Sequence, residues 1–330
     1  MSARAPGGKP TRARVPELTV VIPTKDRPAV LPRALGSVLE QVHDVEVIVI
    51  DDGSSPENAA AIAAICAEDH RIRLIRNETA QGAPHGRNRG LAEARGRFWA
   101  TLDDDDVWLP GKWVAQRAVL EGLGFPDDVV VVMGITEAGR TVPADLSPTV
   151  RAPERPEGLA ALMRAVPPAA FLNTYVVPTA MMRAAGGYDD RLVWGEHTDV
   201  LIRLAARARF AGAAGAGVMV DRGHADGGGR VGRDWTRKVA GVGLLLSKHA
   251  EAFAREPALR ATYRHVLGVS QLRAGDRWGA TGTFLRVAAV GPGAARRARA
   301  LAHFVLAVIG GRSLWRRVAR MNGAPAEVVS

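Results

Sequence analysis

Four consecutive aspartates, Asp103 to Asp106, follow the apolar segment RFWATL (Arg97 to Leu102). Adjacent carboxylates repel one another, and the nearby Trp99 and Trp108 favour a partly buried position in which that repulsion is costly without a cation. Carboxylate oxygens are hard ligands that suit Mg²⁺ or Mn²⁺, and these ions commonly share their coordination with substrate phosphates. We therefore expect a divalent-metal site here; a solvated acidic turn is the alternative.

Two more polar clusters come directly after predicted strands. PTKDR (residues 23–27) follows the β-branched run LTVVIP, and DDGSS (residues 51–55) follows VEVIVI (Val45 to Ile50). IRLI (Ile72 to Ile75) and RFWATL are the next predicted strands, and helical patterns separate all four. Such alternation predicts an α/β fold with a mostly parallel sheet, helices on both faces and ligands beyond the carboxyl ends of the strands. The three polar clusters are therefore expected to meet at one edge of the sheet.

The rest of the chain is less regular. VVVVMG (Val129 to Gly134) and part of FLNTYVVPTAMM predict further strands, and a helix is expected to begin near Glu196. Residues 135–170 are predicted to be loop and irregular structure, and from about residue 234 onward the pattern is helical. In the first half, Asp26 is expected to cap the helix that follows the first strand.

The composition predicts a folded chain. Hydrophobic residues make up 47% of the 330 residues, which is enough for a sizeable core. Cys66 is the single cysteine, so the chain cannot form an internal disulfide. No run approaches the ~18 apolar residues of a membrane-spanning helix, and the first residues lack the apolar centre of a secretory signal. We expect a cytoplasmic protein.

The positive charge is concentrated in the last third of the chain. Residues 222–330 hold 19 Lys and Arg against 6 Asp and Glu, whereas residues 1–221 hold 25 against 28. This asymmetry suits contact with phosphates or with the inner, anionic face of a membrane; an arginine-rich solvated helix face is the alternative. The segment RRARALAHFVLAVI predicts either an amphipathic helix on such a membrane or a helix packed on the body with its arginines in water.

Taken in order, these segments resemble the family-2 glycosyltransferases with the GT-A fold, a Rossmann-like fold for nucleotide-diphospho-sugar transferases. The resemblance rests on VVIPTKDRPAVLPRALGSVLEQ, EVIVIDDGSS, RLIRNE, QGAPHGRNRGLAEARGRFWATLDDDDVWLPGKW and, more loosely, GGYDDRLVWGEHTDVLIRLA. It implies a GT-A domain over residues 17–230, preceded by a disordered basic tail (1–16) and followed by a helical basic region (231–330). The implied reaction transfers a sugar from a UDP- or dTDP-sugar to an acceptor hydroxyl, with Mn²⁺ or Mg²⁺ and with inversion.

The resemblance also implies site roles. The metal is expected at Asp105, with His224 of a late loop near the metal and the pyrophosphate. Gly187, Tyr188 and Asp189 are expected on the acceptor side. Contacts with the nucleotide sugar are expected from residues at the ends of the strands and the start of one helix: Pro23, Thr24, Asp26, Asp52, Arg87 and one of Asp103 and Asp104.

The general base departs from the family pattern. Inverting family members usually take it from the aspartate of a Glu-Asp pair at the start of a late helix, and here the pair is Glu196-His197. His197 is one candidate, because imidazole titrates near neutral pH, and Glu196 and Asp199 are the others. Altered or lost activity is a further possibility.

Two other functions remain open from the sequence. The first is a non-catalytic module that binds a nucleotide sugar or a partner on the same scaffold. The second is a sugar-phosphate nucleotidyltransferase, although IPTKDRPAV is a poor version of the Gly- and Lys/Arg-rich loop expected after its first strand. The acceptor of a transferase would be a small molecule, a glycan or a lipid-linked sugar, and no nucleic-acid partner is expected.

Overall fold

Nine strands form one sheet within the part of the chain that the computed structural model describes, namely residues 15–137, 140–142, 171–192, 194–220 and 234–309. In chain order they are β1 (Leu18–Thr24), β2 (Val45–Asp52), β3 (Ile72–Asn77), β4 (Phe98–Thr101), β5 (Val107–Trp108), β6 (Val129–Glu137), β7 (Arg140–Val142), β8 (Tyr175–Pro178) and β9 (Arg209–Val220). Their order across the sheet is β3-β2-β1-β4-β8-β6-β9-β5, and β7 pairs with β6 outside this path.

The sheet is parallel on one side and mixed on the other. β3, β2, β1 and β4 are parallel neighbours. β8 is antiparallel to both β4 and β6, and β9 is parallel to β6 but antiparallel to β5. The prediction of a mostly parallel sheet is therefore right for the first four strands and wrong beyond them. Parallel neighbours need crossover helices, and the regular strand–helix alternation that supplies them ends after β4.

Helices cover both faces of the sheet. The described helices before residue 220 are α1 (Leu31–Leu39), α2 (Pro56–Cys66), α3 (Ala83–Glu93), α4 (Lys112–Gly122), α5 (Phe171–Thr174), α6 (Thr179–Ala184) and α7 (Glu196–Ala205). On one face Val20 and Ile22 of β1 join a core with α1, α2 and α4, whereas Val21 joins the opposite core with Leu91 of α3 and Leu201 of α7. The uninterrupted apolar run of β1 is explained because both of its faces are buried.

Local sequence signals account for several helix starts. Ser55 is the N-cap of α2: its hydroxyl accepts a hydrogen bond from the backbone N–H of Asn58 at 3.3 Å, and Pro56 and Glu57 follow in the first turn. Asp26, however, does not cap α1. The N-cap of α1 is Val30, four residues later, and Asp26 has a left-handed backbone (φ 55°) that turns its carboxylate towards the loop after β2. The capping prediction was therefore wrong.

Two predictions about the second half need correction. Residues 135–137 belong to β6 and residues 140–142 form β7, so the rest of the predicted loop, 138–139 and 143–170, lies outside the described residues. The Gly/Ala-rich segment that becomes β9 was not predicted as a strand, because its few β-branched residues give little local preference. Its small residues suit close packing: a Cβ at Gly217 would lie 3.0 Å from Lys112 and 3.1 Å from Met133.

Residues 234–309 are helical, as predicted. The helices are α8 (Trp235–Lys248), α9 (Ala250–Arg255), α10 (Pro257–Ala274), α11 (Arg277–Val290) and α12 (Ala294–Ile309). Leu245 and Phe253 extend the core that lies over α3 and α7, so this helical region packs on the α/β body. Among the helices of the described ranges, none combines the length and the apolarity that crossing a membrane requires. The predicted domain boundary at residue 230 and the basic tail up to residue 14 lie outside the described residues.

Candidate active site

The ends of β1, β2 and β4 meet at one edge of the sheet, as the three polar clusters predicted. The Thr24 hydroxyl donates to Asp104 Oδ2 at 2.7 Å, which joins the first cluster to the aspartates. The Asp26 N–H donates to the Ser54 hydroxyl at 2.8 Å, and Asp26 Oδ1 accepts from the Ser55 N–H at 2.7 Å. These bonds connect residues far apart in the chain, so the edge is held by tertiary contacts.

Arg27 bridges two of the four aspartates. One of its guanidinium nitrogens lies 3.0 Å from both Asp104 Oδ1 and Asp105 Oδ2. Asp104 has 8% of its side chain exposed, and burial raises its pKa to about 6, against the lowering effects of the Thr24 hydrogen bond and of Arg27. Asp105 is more accessible, with 27% of its side chain exposed. The bridge compensates charge, and Arg27 is itself partly exposed and therefore able to move away.

Asp103 faces Arg87, and 36% of its side chain is exposed. Its Oδ1 accepts from Arg87 Nη2 at 2.6 Å, and its N–H donates to Asn173 Oδ1 at 3.2 Å. Asn173 also donates to Asp106, so one amide holds both ends of the aspartate run. Desolvation on its own would raise the pKa of Asp103, but the charge of Arg87 and its hydrogen bond bring the pKa below the usual value.

Arg87, in α3, is a buried cation with unused donors. Its side chain is 4% exposed, and neither Nε nor Nη1 has a hydrogen-bond partner. Nη1 lies 3.8 Å from Glu196 Oε1, and the guanidinium lies over the Tyr188 ring, 5.6 Å from its centroid. Buried N–H groups without partners are costly, so this guanidinium is suited to an anionic ligand.

The predicted Glu196-His197 pair lies beside Arg87, at the start of α7. Gly195, with φ 86°, turns the chain into the helix. His197 Nε2 lies 3.1 Å from Glu196 Oε1, and His197 Nδ1 is buried without a hydrogen-bond partner. Burial lowers the pKa of His197 and Arg87 adds to this, while Glu196 and Asp103 act against it. The imidazole is therefore neutral near pH 7 and able to accept a proton.

Asp199, the third candidate for the base, has a different role. It is fully buried, and its carboxylate lies within 3.0 Å of Arg203, Lys248 and His249. Burial alone would raise the pKa of Asp199, but the hydrogen bonds from these three residues lower it to about 2. A buried carboxylate with its lone pairs occupied does not take a proton from an acceptor, so we withdraw Asp199 as a candidate base. It joins α7 to the end of α8.

Asp52 and Pro23 support the start of α3. Asp52 Oδ1 accepts from Asn77 Nδ2 at 2.7 Å and from the Gln81 N–H at 2.9 Å, and Oδ2 accepts from the Gly82 N–H at 2.8 Å. Pro23 is buried near the first turn of the same helix. Asp52 thus fixes the loop that leads to Arg87, and its predicted contact with the nucleoside stays a prediction.

The predicted acceptor residues lie next to this centre. Asn88 accepts from the N–H of Tyr188 at 2.7 Å and donates to its carbonyl at 2.9 Å, so the loop is fastened to α3. Gly187 has φ 60°, and a Cβ there would collide with Asn88, so both backbone and space require glycine. Tyr188 is buried behind the predicted base, and Asp189 pairs with Lys248 at 2.7 Å. Their contact with an acceptor stays a prediction.

The aspartate edge is compatible with a divalent ion held jointly with a ligand. Within the described residues there is no group of three or more His, Cys, Asp or Glu side chains that would hold a metal ion without other ligands. Asp105 offers an accessible hard carboxylate whose contact is a partly exposed arginine. Mg²⁺ is commonly bound by one or two carboxylates plus substrate phosphates and water, and Asp105 fits that pattern. His224 lies outside the described residues.

Comparison with known proteins identifies the first part of the chain. Residues 19–151 match the family model described as glycosyl transferase family 2. This segment belongs to glycosyltransferase family 2. The match includes the three strand ends and all four aspartates. It ends before α7, so the Glu196-His197 pair and the helical region lie beyond it.

Curated relatives agree with this family. Over 99 residues the chain is 37% identical to the GalNAc(5)-diNAcBac-PP-undecaprenol beta-1,3-glucosyltransferase of Campylobacter jejuni, covering 29% of this chain and 32% of that protein. Over 104 residues it is 34% identical to the UDP-Glc:alpha-D-GlcNAc-diphosphoundecaprenol beta-1,3-glucosyltransferase WfgD of Escherichia coli, covering 31% and 40%. The chain thus matches well under half the length of either relative.

The fold as a whole is matched by S. aureus TarS 1-349, with a TM-score of 0.54 at 16% identity over 88% of this chain and 90% of that one. TarS 1-349 has also been solved in complex with UDP-GlcNAc, with a TM-score of 0.50 at 16% identity over 88% of this chain and 81% of that one. At this identity the likeness concerns the fold alone. The chain therefore has the α/β GT-A fold, followed by a helical C-terminal region.

Several residues of this centre were not found from the sequence. Arg27 lies in the PTKDR segment, but the sequence predicted no role for it. Asn173 lies in FLNTYVVPTAMM, for which the sequence predicted only a strand. Lys248 and His249, which bind Asp199, are about 50 residues away from it in the chain. Partners at such separations leave no local pattern, so the sequence carried no signal for them.

Proposed function

We propose that this protein is a metal-dependent, inverting glycosyltransferase that moves a sugar from a UDP- or dTDP-sugar to an acceptor hydroxyl. The observation that carries the proposal is the convergence of Asp103, Arg87 and the Glu196-His197 pair at the sheet edge of a family 2 domain. Carboxylates for a cation, a buried arginine for phosphate and a neutral imidazole are the groups that this reaction requires.

In the proposed reaction His197 is the general base. The acceptor hydroxyl gives its proton to the imidazole while its oxygen attacks the anomeric carbon, and the bond from that carbon to the nucleotide diphosphate breaks. The diphosphate leaves with the electron pair, and attack from the opposite face inverts the centre. Glu196, 3.1 Å from the ring, orients the imidazole and stabilises its protonated form.

Asp105 would hold the divalent ion, with the donor's phosphates as further ligands. When bound, the ion would neutralise negative charge that develops on the diphosphate leaving group. Binding would require Arg27 to leave Asp105, which its exposed position permits. Arg87, with its two unused nitrogens, is proposed to hold a phosphate or the nucleobase.

The relatives support a narrower choice of substrates. The two relatives above are named as glucosyltransferases that act on lipid-linked diphosphate acceptors, and TarS was solved with UDP-GlcNAc. We therefore favour UDP over dTDP in the donor and a lipid-linked sugar as the acceptor. A non-catalytic module on the same scaffold is the competing hypothesis, because His197 replaces the usual aspartate.

The test is release of UDP or dTDP from a panel of nucleotide sugars with Mn²⁺ or Mg²⁺. We expect slow hydrolysis of one donor that depends on the metal and is lost in Asp105→Ala. Asp127→Ala is the matched control, because it removes a carboxylate that is 81% exposed in the loop between α4 and β6. Metal-dependent nucleotide binding without turnover of any donor, with or without acceptors, would instead favour the non-catalytic module.

We further propose that the helical region touches an anionic membrane. Leu301, Val305 and Val308 of α12 recur at helical spacing and are exposed, although Ala300 of the same helix is buried against α10 and α11. Arg297 and Arg299 precede this apolar stripe on the same helix and are exposed as well. An apolar stripe next to arginines suits the interface of a bilayer with negative headgroups.

A further inference from the structure

Two cations and two indoles form an alternating stack between the α/β body and the helical region. Lys238 Nζ of α8 lies 4.8 Å from the centroid of the Trp194 ring and 5.1 Å from that of Trp235. The guanidinium carbon of Arg273 in α10 lies 4.5 Å from the centroid of the Trp235 ring. The order is therefore Trp194, Lys238, Trp235, Arg273. We call these four residues the indole–cation stack.

The stack has no counter-charge among the described residues. Neither Lys238 nor Arg273 forms an ion pair with a carboxylate there, and Arg273 Nε and Nη2 are buried without a hydrogen-bond partner. Burial lowers the pKa of Lys238, and Arg273 lowers it further. Indole faces attract cations, but they do not cancel the repulsion between two of them. Within the described ranges, the two cations therefore lack an anionic partner.

The stack lies next to the proposed base. Trp194 is followed directly by Gly195, Glu196 and His197, so its position is coupled to the start of α7. α8 fixes Trp194 from the other side, because a Cβ at Gly241 would collide with the Trp194 carbonyl. A ligand on Trp194 and Lys238 would thus lie beside the loop that leads to Glu196 and His197.

We infer that the indole–cation stack is a subsite for the phosphoryl groups of the acceptor, with the indoles under the adjoining sugar or hydrocarbon. This rests on the proposed function, and it adds the requirement that the acceptor carries a phosphate or diphosphate. The ammonium and guanidinium groups supply charge-assisted hydrogen bonds to phosphate oxygens. The flat aromatic faces supply apolar contact for the neighbouring carbons.

The experiment measures binding of farnesyl diphosphate by calorimetry, with Mn²⁺ present and the donor site saturated with UDP. Lys238→Gln and Arg273→Gln are each expected to weaken binding at least tenfold, whereas Lys238→Arg should stay within about threefold of wild type. Arg286→Gln is the control, because it removes an exposed arginine of α11 outside the stack, and it should change the affinity less than twofold. Farnesol is expected not to bind at this site.

Three outcomes would overturn the inference. Equal affinity for farnesyl diphosphate in all variants would show that the stack does not bind phosphate. Weaker binding to phosphatidylglycerol vesicles in Lys238→Gln, with unchanged affinity for farnesyl diphosphate, would make the stack a membrane contact. Equal affinity for inorganic pyrophosphate and farnesyl diphosphate would remove the role of the indoles. If Lys238→Gln fails to fold, Arg273→Gln and Trp194→Phe decide the question.

The two proposals fail in different ways. UDP binding by the wild-type protein is measured first, by its thermal shift with Mn²⁺. Absence of that shift counts against the glycosyltransferase itself. A clear UDP shift together with no farnesyl diphosphate binding counts against the acceptor subsite and leaves the transferase in place.

Discussion

The sheet edge of the α/β body and the indole–cation stack handle charge in opposite ways. At the sheet edge, each of the three aspartates that line the centre has a cation: Asp103 pairs with Arg87, and Asp104 and Asp105 share Arg27. In the indole–cation stack the cations meet aromatic faces and, within the described ranges, no carboxylate. The sheet edge therefore keeps its carboxylates paired without a ligand, while the stack retains positive charge that a ligand can neutralise.

Asp199 lies where these two patterns meet. It comes from the body, and two of its three partners, Lys248 and His249, belong to the helical region. The surplus of the helical region is thus partly neutralised by a buried carboxylate of the body. This difference suggests two kinds of aspartate: one whose partners exchange during function, and one whose partners are permanent.

The largest effect is expected at the base. His197→Ala should lower the rate of transfer about 10²- to 10⁴-fold, because a positioned base contributes on that order. Glu196→Gln should lower it less, since it removes only the group that orients the ring. Steady-state UDP release with acceptor present measures both. His70→Ala, which removes a histidine that is exposed on the surface, serves as control. An unchanged rate in His197→Ala would leave Glu196 as the base.

Asp199→Asn is expected to lower the free energy of unfolding by about 3–5 kcal/mol, because it leaves buried cations without their counter-charge. Urea denaturation measures the loss. Asp128→Asn breaks an exposed pair with Arg209 and should cost about 0–1 kcal/mol. Similar losses for both variants would remove the distinction between permanent and exchangeable aspartates.

The pH dependence of stability separates Asp104 from Asp199. The pKa of Asp104 is about 6 in the folded protein and near 3.8 when unfolded, so the folded state binds more protons between those values. The stability that the protonated Asp104 contributes is complete below about pH 4 and is lost as the pH rises through 6. The free energy of unfolding changes by about 3 kcal/mol over this range, at ~1.36 kcal/mol per pH unit. In urea titrations, the free energy of unfolding of Asp104→Asn should therefore increase relative to that of the wild type as the pH rises from 4 to 6.

The contribution of Asp199 to stability depends on pH with the opposite sign. Its pKa of about 2 lies below the unfolded value, so its contribution is present above about pH 4 and is lost as the pH falls towards 2.

A stability difference between wild type and Asp104→Asn that does not vary from pH 4 to 7 would contradict the buried, proton-retaining state of Asp104.

The smallest effect is expected at the apolar stripe of α12. Leu301→Ser and Val305→Ser should each weaken binding to phosphatidylglycerol vesicles a few-fold, because each removes about one apolar side chain from contact with the bilayer. Sedimentation with vesicles measures this, and Val114→Ser, on an exposed part of α4, is the control. Equal loss in all three variants would argue for non-specific adhesion.

Local sequence patterns predicted the α/β body well because short runs of neighbouring residues mark its strands and the polar strand ends. The apolar run of β1 and the polar residues after β1, β2 and β4 identified an α/β sheet with a site at one edge, and Thr24 and Asp104 do meet there. The prediction of parallel strands extended too far because the order of strands beyond β4 depends on pairing between distant segments. β9 was missed for the same reason: Gly217 becomes favourable in this strand only once Lys112 and Met133 pack against it.

Sequence by itself determined the family resemblance of the first part of the chain, the four aspartates, the Glu196-His197 pair and the basic last third, since residue types and their spacing express these. Tertiary structure decided which charges meet. It brought Asp199 into contact with the helical region, placed Arg27 between two carboxylates and stacked Lys238 between two indoles. Electrostatic partners act over a few ångströms in space, and that distance is set by the folded backbone and not by separation along the chain.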